Sequence, residues 1–183
     1  QVLDHGAFGK GAGRLHPYNT QINWLVRHPG HAEPRAVDDF VQTHDLAPTL
    51  CRLLDVPAGG FDGSDVWPLV TRDSQTVRDH VVIGWAGFAN GPATGRASVR
   101  DDDWNYTVSL DDPAAQEELY DLSADPDEND NVIDAHGEIA ATQRARLETV
   151  IRQPLPATFP EVCDPSPAPS ALYHRGRKRA GMD

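Results

Sequence analysis

The sequence is poor in cysteine and in long apolar runs, and both shortages limit what the protein can be. Its two cysteines, Cys51 and Cys163, form no Cys-x-x-Cys metal signature and do not fix a redox compartment. The compartment therefore stays open, with the cytoplasm slightly favoured over secretion. No apolar stretch approaches the ~20 residues that a membrane-spanning helix needs, so we expect no membrane span.

Basic residues are also scarce. The 16 lysines and arginines are outnumbered by 28 aspartates and glutamates, so the 183 residues carry a formal net charge of −12. A broad nucleic-acid surface is excluded on this ground, since binding to phosphate backbones needs clustered lysine and arginine. The chain has one basic cluster, at positions 175–179 near its C-terminus. We interpret that cluster as a solvated tail, with a weak polyanion contact as the alternative.

The scarcity of lysine draws attention to Lys10, because the other lysine is Lys178 in the basic tail. Lys10 follows Asp4, His5 and Gly6 closely. The Asp4 carboxylate and the His5 ring nitrogen are both usable by a divalent cation, and the Lys10 ammonium suits a tetrahedral oxyanion. Taken alone, however, this segment favours a polar turn between a strand and a loop.

Further motifs follow the segment Asp4–Lys10 in a fixed order. They are Arg27–Gly30, Thr43–Leu50, Asp62–Leu69, Glu118–Leu122 and Ala124–Asn129. The ordered series resembles the C-terminal part of the sulfatase family, within the alkaline phosphatase superfamily, over roughly residues 1–152. Each motif is modest, but their order is specific for the family and much less so for the substrate.

The resemblance implies roles for four residues. Asp4 and His5 match the downstream ligands of a calcium ion, and Lys10 matches the lysine that binds a sulfate oxygen and helps the leaving group. The spacing from His5 to Lys10 is shorter than in most members. His16, which in relatives lies in a segment facing the pocket, could donate a proton to the leaving oxygen or be a loop histidine.

The family's nucleophile is a formylglycine made from a Cys/Ser-x-Pro-x-Arg segment, and no such segment is present. The nearest match begins at Cys163, but Pro167 replaces the arginine. The family's upstream Asp-Asp metal pair is missing too. We therefore expect this chain to carry half of an active site, to need the N-terminal half of the catalytic domain, and to show no turnover alone.

The remaining histidines and acidic runs have simpler interpretations. His28, His31 and His44 are expected to be structural, and Asp45 to cap a helix. The acidic segment 125–131 fails the EF-hand pattern, since Asp130 occupies the position that requires glycine. It is interpreted as a turn before a helix.

Apolar periodicity predicts the secondary structure. Residues 22–27 read as a buried strand and 37–41 as a short one, and a helix from Asp45 to about Leu54 should bury Leu46, Leu50, Leu53 and Leu54. Four short strands follow, at 80–85, 96–100, 105–110 and 118–122. A helix over 136–152 should turn Ile139, Leu147, Val150 and Ile151 inward.

The predicted fold class is α/β. Residues 1–75 would end a mixed-sheet, alkaline-phosphatase-like catalytic domain, 76–152 would form a small four-stranded antiparallel sheet with a C-terminal helix, and 153–183 would be a disordered tail, rich in proline and alanine and then basic. The expected function is hydrolysis of a sulfated small molecule or glycan. The alternatives are a phosphodiesterase or phosphonate monoester hydrolase of the same superfamily, and a non-catalytic remnant or binding module.

Overall fold

The computed structural model describes residues 15–31, 33–72, 76–87, 94–110 and 112–157. They divide into two compact units. The sheet unit comprises the described residues of 15–20, 82–99 and 103–157. The helical unit comprises those of 21–81 and 100–102.

A four-stranded sheet with strands in chain order organises the sheet unit. The strands are β1 (Val81–Gly87), β2 (Thr94–Arg100), β3 (Trp104–Ser109) and β4 (Glu118–Asp121). β3 and β4 are antiparallel, with Trp104 opposite Asp121 and Thr107 opposite Glu118. The predicted small sheet is confirmed, with strand ends shifted by one or two residues.

A 15-residue helix, α4 (Gly137–Ile151), packs on this sheet. Its buried side chains are Ala140, Gln143 and Leu147, at the spacings of three and four that mark one helix face. The predicted inner face is right at Leu147, and Ile139 and Ile151 pack partly buried against the core, but the prediction is wrong at Val150, which is exposed. The buried core joins the strands to α4 and consists of Ala97, Val99, Tyr106, Val108, Leu110, Leu119, Ala140 and Leu147.

The chain stays attached to the sheet unit beyond α4. The Leu155 carbonyl accepts a hydrogen bond from Arg144, and the buried Ala157 donates its N–H to the Leu110 carbonyl. The predicted start of the tail at Gln153 is therefore too early, because backbone groups as far as Ala157 are paired. The rest of the predicted tail, with Cys163 and the basic cluster, lies outside the described residues.

Two helices belong to the helical unit, α2 (Leu46–Leu53) and α3 (Trp67–Thr71). A single 3-10 turn, Thr43–Asp45, leads into α2, so the predicted helix is confirmed. Its predicted buried face is wrong. The residues of α2 that are buried are Pro48 and Thr49, whereas the leucines at 46, 50, 53 and 54 are between 37% and 69% exposed.

The two strands predicted in the helical unit are not formed. Residues 22–27 and 37–41 have no strand pairing, and Leu25 is 95% exposed. Within this unit, the described residues place no strand beside either segment, so their backbone groups find no ladder partner. A short helix of the sheet unit, α1 (Pro17–Thr20), precedes them. None of the described helices is long and apolar enough to cross a membrane.

Candidate functional site

Three of the four predicted site residues, Asp4, His5 and Lys10, lie outside the described residues. The fourth, His16, is described. Among the residues that have a described position, no group of three or more histidine, cysteine, aspartate or glutamate side chains could hold a metal ion. The predicted metal and sulfate ligands therefore stay predictions, and the described part of the site is centred on His16.

His16 is held from its backbone and from its ring. Its carbonyl accepts hydrogen bonds from the Asn19 N–H at 2.9 Å and the Thr20 hydroxyl at 3.2 Å, which close the turn of α1. Its side chain is buried, with the residue 3% exposed. The ring nitrogen Nδ1 lies 2.5 Å from Oε2 of Glu128. A short contact between a histidine nitrogen and a carboxylate is a charge-assisted hydrogen bond.

Glu128 reaches His16 from the acidic segment that was interpreted as a turn, and it is a turn. The Asp125 carbonyl accepts the Glu128 N–H, and the Asp125 carboxylate accepts the N–H groups of Asn129 at 2.6 Å and Asp130 at 2.8 Å. Glu128 has a left-handed backbone, with φ of 56°, which side chains rarely adopt. The turn thus directs Glu128 inward, where its side chain is fully buried.

Asn131 attaches this turn to the sheet. Its Oδ1 accepts the N–H groups of Leu119 at 2.9 Å and Ile133 at 3.2 Å, and its Nδ2 donates to the Glu117 carbonyl at 3.0 Å. These bonds to the start of β4 fix the turn on a strand. The carboxylate of Glu128 is therefore carried by a rigid element rather than by a free loop.

Two tyrosines lie against the His16 ring. The Tyr18 ring is stacked on it at a centroid distance of 5.5 Å, and the Tyr120 ring is tilted at 5.7 Å. In such a water-poor, aromatic setting a hydrogen bond between imidazole and carboxylate is stronger than in water. A carboxylate on Nδ1 fixes the tautomer and the orientation of the ring.

A second buried carboxylate, Asp45, forms the polar centre of the helical unit. It accepts two hydrogen bonds from Arg78, at 2.5 and 2.6 Å, and the N–H groups of Ser64 at 2.8 Å and Gln42 at 2.7 Å. Burial alone would raise the pKa of Asp45, but the bonds from Arg78, Ser64 and Gln42 hold that pKa below its ordinary value.

The capping prediction for Asp45 is therefore right in position, but its carboxylate caps the 3-10 turn Thr43–Asp45 and not α2 itself. Asp45 occupies the N-cap of α2, yet its side chain turns back to the Gln42 N–H and across to Arg78. Gly63 packs against the same backbone, because a Cβ there would lie 2.1 Å from the His44 carbonyl oxygen. Two residues of the motif Asp62–Leu69 thus have structural roles: Gly63 packs against the backbone of His44, and the Ser64 N–H donates to Asp45.

His28 and His31 form a tight turn that packs on an aromatic ring. The two residues face each other in an isolated bridge, and their rings meet Trp67 edge-on at 4.8 and 5.3 Å. The His28 Nδ1 accepts the Gly30 N–H at 3.1 Å. This geometry agrees with the structural role that we predicted. The three aromatic residues line an open cleft of about 1210 Å³ that also includes the exposed leucines of α2.

Sequence reasoning missed two partners, Glu128 for His16 and Arg78 for Asp45. Glu128 lies 112 positions from His16, and Arg78 lies 33 positions from Asp45. No local pattern predicts such pairs. The available signal was that Glu128 belongs to the Asp-Pro-x-Glu motif that follows β4.

Known proteins resemble this chain over most of its length. A family model described as N-sulphoglucosamine sulphohydrolase, C-terminal, matches residues 4–163. Arylsulfatase K of Gallus gallus is 25% identical over 159 residues, which cover 84% of this chain and 29% of that protein. The chain spans less than a third of the length of the curated relatives that it matches.

Solved structures agree with the predicted fold class. A Bacteroides thetaiotaomicron protein assigned as a sulfatase is 30% identical and aligns with a TM-score of 0.52, over 59% of this chain and 24% of its own length. A 2-O GAG sulfatase aligns with the same TM-score of 0.52 and 30% identity, over 59% of this chain and 24% of its own. The prediction of an α/β fold related to the sulfatases is confirmed.

Proposed function

This chain belongs to the sulfatase family represented by the N-sulphoglucosamine sulphohydrolase C-terminal model, and we propose that it forms the C-terminal part of a hydrolase of sulfate esters. The observation that carries the proposal is the extent of the family match, which begins at Asp4 and so includes the predicted site segment. The aligned sulfatase structures support the same assignment.

In this proposal Asp4 and His5 bind a divalent cation, with calcium as the expected ion. The Asp4 carboxylate fits calcium, which prefers oxygen ligands. The role of His5 rests on the family resemblance, because imidazole suits transition metals better than calcium. The two residues supply a minority of the six to eight ligands that calcium takes, so the other ligands would come from outside this chain. The bound ion would supply positive charge next to the ester.

Lys10 and His16 act on the ester itself in this proposal. The Lys10 ammonium binds a sulfate oxygen and offsets the negative charge that develops there. His16 donates a proton to the leaving oxygen. The hydrogen bond from the His16 ring to Glu128 supports this role, because it fixes the orientation of the ring.

We propose a sulfated small molecule or glycan as the substrate class. The resemblance to a 2-O GAG sulfatase favours the glycan. The pocket loops that choose among sulfate esters are expected in the rest of the catalytic domain, which would also supply the formylglycine nucleophile. The exposed leucines of α2 support such a partner, because exposed apolar patches commonly mark interfaces.

The test compares the 183-residue chain with the longest natural polypeptide that contains it. We expect the longer protein to hydrolyse 4-nitrophenyl sulfate and the shorter chain to be inactive. The Asp4→Ala and Lys10→Ala variants of the longer protein should each lose at least ~100-fold in kcat/KM. Hydrolysis of aryl phosphodiesters in preference to aryl sulfates would instead favour the phosphodiesterase or phosphonate monoester hydrolase alternative.

A non-catalytic remnant is the other alternative, and metal linkage tests it. A protein that binds calcium in its folded state gains stability with calcium concentration. We expect a calcium-dependent rise in the Tm of the longer protein, which the Asp4→Ala variant should reduce. If calcium changes the Tm of neither the longer protein nor its Asp4→Ala variant, and the longer protein hydrolyses no sulfate ester, the chain is part of a non-catalytic remnant.

A further inference from the structure

We propose that Glu128 is a positioning residue for His16, and that the two side chains form a proton-donating pair. This inference rests on the proposed function, because it assigns Glu128 a role in the chemistry of sulfate ester cleavage. It concerns a carboxylate that the sequence alone places in an ordinary turn.

The bond between the two side chains has the geometry of such a pair. His16 Nδ1 lies 2.5 Å from the Glu128 carboxylate. An imidazole bound at Nδ1 by a carboxylate has one ring orientation, with its Nδ1 proton committed to that carboxylate. The proton on Nε2 is then the one that can be transferred.

The turn that carries Glu128 has an uncommon backbone conformation that its neighbours hold in place. Its left-handed backbone, with φ of 56°, is one that side chains rarely adopt and that persists where neighbouring contacts enforce it. Those contacts come from Asp125 within the turn and from Asn131, which binds β4. These bonds hold the Glu128 carboxylate against the His16 ring.

A comparison with Asp45 separates a structural carboxylate from a chemical one. Both Asp45 and Glu128 are fully buried. Asp45 is paired with Arg78, whose charge is permanent and suited to a fixed link. Glu128 is paired with a histidine, the side chain that can release a proton near neutral pH.

In the proposed step one S–O bond forms and another breaks. An alkoxide oxygen, which the formylglycine hydrate of the complete catalytic domain would supply, would form the new bond to sulfur. The S–O bond to the leaving oxygen breaks, and its electron pair goes to that oxygen. The Nε2 proton of the His16 imidazolium passes to the leaving oxygen, and the imidazole becomes neutral. Glu128 keeps its negative charge and holds the Nδ1 proton throughout.

The experiment uses aryl sulfates whose leaving groups differ in basicity, with the longest natural polypeptide that contains this chain. In the Glu128→Gln variant we expect kcat/KM for phenyl sulfate to fall by ~100-fold, within the range of general acid catalysis. The rate with 4-nitrophenyl sulfate should change by less than ~3-fold, because 4-nitrophenolate leaves without a proton. His16→Gln should reproduce this pattern.

The matched control is Asp127→Asn, since Asp127 is an exposed carboxylate of the same turn. It should leave both rates unchanged. A Glu128→Gln variant that loses the same factor with both substrates would show that Glu128 is a structural anchor, and would overturn the proposal. A wild-type protein that hydrolyses neither sulfate would overturn the proposed function, and the catalytic role of Glu128 with it.

A second measurement uses the unsubstituted chain and requires no enzymatic activity. Nitrogen-15 NMR of the histidine rings in the 183-residue chain reports which nitrogen of His16 carries the proton. We expect a protonated Nδ1 at every pH at which the chain is folded. A neutral ring with its proton on Nε2 and a bare Nδ1 would overturn the pairing itself, whatever the outcome for the sulfates.

Discussion

The two units of this chain are held together in different ways. The sheet unit has a continuous apolar core, in which Val99, Tyr106, Leu119 and Leu147 are wholly buried between the strands and α4. The helical unit is centred on a buried carboxylate, Asp45, and leaves most of its leucines exposed. The difference shows that periodic apolar residues identify a helix but do not by themselves identify what covers it.

Each arrangement has its own weakness. An apolar core responds to loss of volume, because a deleted side chain leaves a cavity. A polar centre responds to loss of a partner, because the groups left behind are buried and unpaired. Substitutions that remove one or the other therefore test whether the two units differ as the structure describes.

The largest effect is expected for Asp45→Ala. This change leaves the Arg78 guanidinium and the N–H groups of Ser64 and Gln42 without the carboxylate, in a part of the unit where little water reaches. Breaking a buried pair on one side costs about 3–5 kcal/mol. We expect hydrogen exchange to accelerate across residues 42–79, and slow exchange there in the variant would contradict the assignment of Asp45 as the centre.

The control for that change is Asp65→Ala. The Asp65 carboxylate lies 3.3 Å from Arg52 in a partly exposed pair, and it accepts the Trp67 N–H at 2.9 Å. A partly exposed pair and one such hydrogen bond together contribute about 1–2 kcal/mol, so exchange in the helical unit should change less than in Asp45→Ala. If hydrogen exchange accelerated equally in the two alanine variants, burial of the Asp45 carboxylate would not make it more important to stability than Asp65.

The next effect is expected in the sheet unit, for Leu147→Ala. Leu147 has no exposed surface and touches the strand core from α4, so its truncation should reduce the free energy of unfolding by about 2–5 kcal/mol. Val150→Ala is the matched control, because Val150 is an exposed residue of the same helix. Its cost in urea unfolding should stay within about 0.5 kcal/mol.

A smaller effect is expected from acid. Because the folded pKa of Asp45 lies below its ordinary value of 3.8, the stability that this carboxylate gives is complete above pH 3.8 and is lost as the pH falls through the folded pKa. The helical unit should therefore weaken below about pH 4, as measured by hydrogen exchange. Asp45→Asn should be less stable at neutral pH and lose this part of the pH dependence.

The sheet unit was largely predictable from sequence, and the helical unit was not. β3 and α4 carry their own patterns, and their partners are close in the chain, so local periodicity gave the elements and, of the buried core, Leu147. Residues 22–27 have an equally apolar pattern, yet they form no strand. A strand needs a neighbour, and the sequence of one segment does not say whether a neighbour is present.

The contacts in the described part of the candidate site could not be predicted from local sequence. The resemblance pointed to His16 from its place after Lys10, but neither its burial nor its partner follows from the motif. The pair of His16 and Glu128 forms because the fold brings the residue before α1 to the turn after β4. Sequence patterns describe neighbours along the chain, whereas this contact joins positions 112 residues apart.

The smallest effect is expected for Leu50→Ala in the 183-residue chain, since this side chain of α2 is 44% exposed. Its truncation should change the free energy of unfolding by no more than about 0.5 kcal/mol. In the longer polypeptide the same change should cost about 2 kcal/mol or more, if the rest of the catalytic domain covers α2. Equal costs in the two proteins, measured by urea unfolding, would show that this face of the helical unit stays exposed.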